Sequence, residues 1–167
     1  VAKLIGMVDF IALARCACRV SVGACNAPQE VCFFFDAPAR FLVDRGFARE
    51  ISREEAHRVL DQAEEAGLVH TSSNSMDRPT FICNCCKCCC TILRGLTQLK
   101  LPHAFAVSPF ISSCNKDQCT GCGICADERC PVGAIRMTDD VADIDAGLCI
   151  GCGLCVTACP VDALVLD

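Results

Sequence analysis

The first apolar positions, Leu4, Ile5, Val8, Ile11 and Ala12, recur at helical spacing and predict an amphipathic helix at the start of the chain. A second helix is predicted after Ala27, with Pro28 at its first position, where a missing N–H costs nothing. A third runs from about Pro38 to Arg45 and stops at Gly46. The fourth has the clearest signal. Ser52 and Glu55 make a capping box, Ala56, Val59, Leu60 and Ala63 make one buried stripe, and Gly67 supplies a left-handed cap. LVH (Leu68–His70) and TFIC (Thr80–Cys83) then read as two short strands around the polar turn SSNSMDRP. That order suits a small helical packing unit with a β-hairpin, and it is also the order of a winged-helix module.

Farther on, the pattern repeats itself. CTGCGICADERCPVGAIRM (Cys119–Met137) aligns with CIGCGLCVTACPVDALVL (Cys149–Leu166), including the apolar strand at the end of each. Two similar halves imply pseudo-twofold symmetry and two similar sites. The segment LRGLTQLKLPHAFAVSPFISS separates this repeat from the earlier cysteines and contains none. The expected fold class is therefore α+β: a cysteine-rich helical domain over 1–100, a linker over 101–112 and a pseudo-symmetric domain over 113–167.

Composition narrows the chemistry. Nineteen of the 167 residues are cysteine, above the ~8–10% level at which sulfur dominates a reading. They crowd into runs such as CNCCKCCC (Cys83–Cys90), where neighbours rarely reach disulfide geometry, and an odd total would leave one thiol unpaired. Metal ligation in a reducing cytoplasm is the expectation. Twenty carboxylates against 15 Lys and Arg argue against a phosphate-binding surface, so nucleic acid is not expected as a partner. The apolar stretch Leu4–Ala14 is broken by Asp9 and falls short of the ~20 residues that span a bilayer, so no membrane insertion is expected.

Each half of the repeat carries CxxCxxC and a more distant Cys-Pro. The close triplet wraps three irons of a cubane, and the fourth corner faces away, so the repeats exchange their last ligand. The expected sets are Cys119, Cys122, Cys125 and Cys159 on one 4Fe-4S cluster, and Cys149, Cys152, Cys155 and Cys130 on the other. Gly121, Gly123, Gly151 and Gly153 let the backbone bring amide hydrogens close to sulfur. Ile124, Val132, Ile135, Ile150, Leu154, Val161 and Leu164 supply an apolar shell that helps set the potential. A pair of zinc sites with CxxC knuckles is the plainer alternative.

At these residues, over Asn115 to Asp167, the sequence resembles the bacterial two-cluster ferredoxins. It departs in one respect. Four residues separate Cys125 from Cys130 where the usual spacing is three, so this loop is expected to bulge.

Ten cysteines lie earlier: Cys16, Cys18, Cys25, Cys32, Cys83, Cys85, Cys86, Cys88, Cys89 and Cys90. A subset is expected to bind at least one further iron-sulfur cluster, with zinc or unligated packing thiols as the alternatives. The CxCR and CNCCxCCC segments also resemble those of uncharacterised ferredoxin-domain proteins of anaerobes, a likeness that identifies no ligands. Cys114 is expected to be a small buried residue. His57, His70 and His103 show no catalytic pattern, and Asp139, Asp140, Asp143 and Asp145 look like a solvated turn rather than a calcium loop.

Three functions are compatible with these features. The leading one is electron transfer through multiple 4Fe-4S clusters, as the small iron-sulfur subunit of a larger anaerobic oxidoreductase and without catalysis of its own. An iron-sulfur transcription regulator with a winged-helix-like front domain is the alternative. Its best helix, Arg53 to Gly67, weighs against it with two arginines and five acids. An enzyme built on an unusual cluster would need a substrate pocket that no motif indicates.

Overall fold

In the computed structural model, residues 1–75, 78–101, 106 and 108–167 are described. They form two compact units, Val1–Arg94 and Gly95–Asp167.

The first unit is built on a five-stranded antiparallel sheet of order β3-β1-β2-β5-β4. Its strands are β1 (Ile11–Arg15), β2 (Glu30–Phe35), β3 (Ala48–Glu50), β4 (Val69–Ser72) and β5 (Phe81–Cys85). Two predicted helices are corrected here. The first, α1, is confined to Ala2–Ile5, and Ile11 and Ala12 belong to β1. Ile11 to Ala14 are all buried, and a short apolar run covered on both faces has no period that tells strand from helix. The helix predicted after Ala27 is β2 instead. Its Val31, Cys32, Phe33 and Phe35 are buried, and β-branched and aromatic side chains pack better on a pleated surface than on a helix. The hairpin β4–β5 is present, as the edge of this sheet rather than a separate wing.

The remaining helices are α2 (Ala17–Val22), α3 (Asp36–Asp44), α4 (Arg53–Glu65) and α5 (Thr91–Thr97), the last beginning in the first unit and ending in the second. α4 forms as its sequence predicts. Ser52 Oγ accepts the Glu55 N–H at 3.2 Å, and Ala56, Val59, Leu60 and Ala63 are buried. Only half of the capping box closes in this way, because the Glu55 carboxylate accepts from Arg49 Nη2 at 2.7 Å instead.

In the second unit, β6 (Ser112–Cys114) pairs with β9 (Leu164–Leu166), and β7 (Ile135–Thr138) with β8 (Val141–Ile144). The β7–β8 connection is the two-residue turn Asp139-Asp140, both at positive φ, as a type I′ hairpin requires. The halves match bond for bond. Asn115 N–H donates to Ala163 O and Asp145 N–H to Ala134 O, both at 2.8 Å, while Cys119 N–H returns to Asn115 O and Cys149 N–H to Asp145 O. One difference breaks the match. After Cys155 the chain is an α-helical turn, α6 (Leu154–Thr157), whereas Cys125–Arg129 is a π-helical turn. The Cys130 N–H reaches back to Cys125 O, five residues away, at 3.0 Å. The extra residue of the first half is absorbed there. Among the described residues no helix is long and apolar enough to cross a membrane.

Candidate metal centres

Two cavities in the second unit sort its cysteines. One is lined by Cys119, Cys122, Cys125 and Cys159, the other by Cys130, Cys149, Cys152 and Cys155. Each therefore takes a CxxCxxC triplet from one half and the Cys-Pro cysteine from the other. About 330 Å³ of space, part of it open to solvent, lies within each. Ile124, Val161 and Leu164 line the first, and Val132, Ile135 and Ile150 the second. At the four turns between the ligands, Gly121, Gly123, Gly151 and Gly153 are all left-handed.

Backbone amides point at the sulfurs. The Ala134 N–H donates to Cys130 Sγ at 3.2 Å and the Ala163 N–H to Cys159 Sγ at 3.3 Å, the same bond in each half. Hydrogen bonds from the backbone of Gly121 and Ala142 hold the Cys119 thiol below its usual range. Burial pushes the Cys125 and Cys152 thiols up, each to about 11. Buried thiolates on those side chains need a cation beside them. Four sulfurs per cavity, apolar walls and aimed amides fit a cluster of irons.

The cavities differ at several lining positions, with Arg129 in the second where Ala158 stands in the first, and one difference touches a sulfur. Ser112, buried on β6, puts its hydroxyl 3.2 Å from both Cys155 Sγ and Val165 O. Ala142, which stands three residues before Asp145 as Ser112 stands three before Asn115, lines the first cavity and has no hydroxyl. Sequence reasoning passed over this residue; the unequal partner at a repeated position is the signal that marks it. Cys114 is half-buried next to Cys119 and lines neither cavity.

In the first unit the ten cysteines do not gather as one group. Cys25, in the loop after α2, meets Cys86, Cys88 and Cys89 of the turn after β5, with all four Sγ atoms within 4.8 Å of one another. The Cys25–Cys86, Cys25–Cys89 and Cys88–Cys89 sulfur separations are 3.8, 3.9 and 3.8 Å. Cys16, Cys32, Cys83, Cys85 and Cys90 instead make a second set of neighbouring thiols. Within it the neighbouring Cys16 and Cys83 push the Cys32 thiol up. Cys18, on α2, is half-buried and packs against the core.

Two polar residues, neither singled out by the sequence, hold this region. Arg19, 1% exposed, donates from Nε to Cys86 Sγ at 3.5 Å, from Nη2 to Asn84 O at 2.6 Å and from Nη1 to Pro28 O. Asn84 is fully buried, donates Nδ2 to Val31 O at 2.6 Å and bonds His70 Nδ1. His70 thus serves the sheet, His57 is exposed, and His103 lies outside the described residues.

Comparison with known proteins bears on the second unit. Residues 118–163 match the family model described as a 4Fe-4S dicluster domain. Ferredoxin-2 of Chlorobaculum tepidum is 40% identical over 55 residues, 29% of this chain and 87% of that protein. The chain belongs to the ferredoxin-domain family. The ferredoxin domain is also 50% identical over 48 residues to one component of an ion-translocating oxidoreductase complex from Methanosarcina acetivorans, covering 29% of this chain and 18% of that component. Pyruvate synthase subunit PorD of Methanothermobacter marburgensis is 39% identical over 59 residues, 35% of this chain and 64% of that protein. The chain thus spans less than a fifth of the Methanosarcina protein and under two thirds of PorD.

Proposed function

We propose that this chain carries single electrons through two 4Fe-4S clusters in its ferredoxin domain, delivering them to or from a larger oxidoreductase. The first cluster would be held by Cys119, Cys122, Cys125 and Cys159, the second by Cys149, Cys152, Cys155 and Cys130. One observation carries the assignment: each cavity takes three cysteines from one repeat and its fourth from the other. The clusters supply reversible one-electron chemistry. The chain's own residues fix the sulfurs, lower their charge density through the Ala134 and Ala163 amides, and limit water with aliphatic walls. No substrate atom has to move. Relatives named as parts of redox complexes support a protein partner of that kind. We assign the first unit a further thiolate metal centre, and place the protein in the cytoplasm, where thiols stay reduced.

The test is an iron and acid-labile sulfide count on the full chain purified without oxygen, with EPR after reduction. About eight of each per chain are expected. Zinc in place of iron, or about four irons, overturns the reading. Cys159→Ala is expected to disturb the site of Cys119, Cys122 and Cys125; loss confined to the other triplet would reverse the ligand assignment.

A further inference from the structure

We propose that Cys25, Cys86, Cys88 and Cys89 bind one tetrahedral metal ion, and that the first unit's metal centre is mononuclear rather than a third iron-sulfur cluster. This deepens the assignment of a thiolate centre to that unit and does not depend on the ferredoxin domain.

Sulfur spacing decides it. A single ion bound tetrahedrally at about 2.3 Å sets its sulfurs about 3.8 Å apart, the edge of the tetrahedron. In a cubane each thiolate sits on a different iron, and the sulfurs stand roughly 6 Å apart. The separations here, 3.8 to 3.9 Å for three of the pairs and within 4.8 Å for all, match the single ion. Among the described residues this is the only group of three or more ligand atoms so close. The eight cysteines of the ferredoxin domain are not gathered that way; they surround spaces with room for a cluster.

Charge supplies a second, independent observation. Arg19 is buried, and among the described residues no carboxylate forms an ion pair with it. A guanidinium withdrawn from water needs an anion. Four thiolates around a divalent ion leave a net charge of minus two, and Arg19 Nε already donates to one of the four sulfurs. It both offsets that charge and orients Cys86. Asn84 O and Pro28 O occupy its other nitrogens, so the cation is fixed against the site. Zinc or iron would satisfy this geometry; zinc would tie the α2 loop to the turn after β5, and iron would add a one-electron centre.

The full chain, purified anaerobically, is analysed for zinc, iron and sulfide together. Metal is expected to exceed sulfide by about one atom per chain. Replacing Cys25 and Cys88 by serine together should remove that one atom and leave sulfide unchanged. Loss of about four irons with four sulfides would show a cluster, and overturn the proposal. So would an unchanged metal count, or a disulfide found by mass after alkylation. X-ray absorption of the unaltered chain gives an answer even if the variant does not fold. At the zinc edge a sulfur shell at about 2.3 Å without a metal neighbour is expected; in a chain whose excess metal is iron, a Mössbauer signal of one iron apart from those of the clusters is expected. A wrong two-cluster reading shows separately, as a sulfide count far from about eight in the unaltered chain.

Discussion

Ser112 is a residue at which the two halves of the ferredoxin domain differ beside a sulfur. Its hydroxyl lies 3.2 Å from Cys155 Sγ, while Ala142 holds the matching place in the first cavity. The hydroxyl has one hydrogen, within reach of both Val165 O and Cys155 Sγ; turned to a thiolate at Cys155 it favours the reduced, more negative cluster and so raises its potential. Ser112→Ala is expected to lower one of the two midpoint potentials by roughly 20–60 mV, the equivalent of one hydrogen bond of about 0.5–1.5 kcal/mol, with the other midpoint unmoved. Redox titration followed by EPR reads both. Gly151 is tested differently. It is left-handed at φ 62°, and a Cβ there would overlap the Phe110 carbonyl oxygen and Ser108 Oγ. Gly151→Ala should destabilise the domain by about 1–3 kcal/mol and reduce retained iron, as seen by denaturant unfolding and iron analysis of one preparation.

Helix α4 shows how far a local signal carries. Ser52→Ala removes the acceptor of the Glu55 N–H and should cost about 1 kcal/mol, read as a lower urea midpoint with an unchanged slope. The cap, the buried stripe and the closing Gly67 were all legible, because each acts within a few residues along the chain. The strands at Ile11–Arg15 and Glu30–Phe35 were not. They are strands because other strands pair with them edge to edge, and those partners, Phe81 to Ile82 and Ala48 to Glu50, come from far along the sequence. In the ferredoxin domain the cysteine spacing anticipated which four sulfurs line each cavity, and the bulge expected between Cys125 and Cys130 takes a definite form, the π-helical turn. The cysteine groups of the first unit had no such signal. CNCCKCCC is split by folding: Cys86, Cys88 and Cys89 join Cys25, while Cys83, Cys85 and Cys90 neighbour other thiols.

At the scale of the molecule, two units with separate cores predict separable losses. A chelator that strips the mononuclear site should lower the unfolding temperature of the first unit, since metal bound only by the folded state adds to its stability. The visible absorption of the clusters should persist through that step, and differential scanning calorimetry with absorbance recorded in parallel checks both. The unequal partners of Cys125 and Cys155 have a further effect on a molecule holding one electron. With matched halves that electron would divide its time evenly. The Ser112 contribution of roughly 20–60 mV by itself weights it toward the Ser112 side by a factor between about two and ten, giving the half-reduced protein a front and a back.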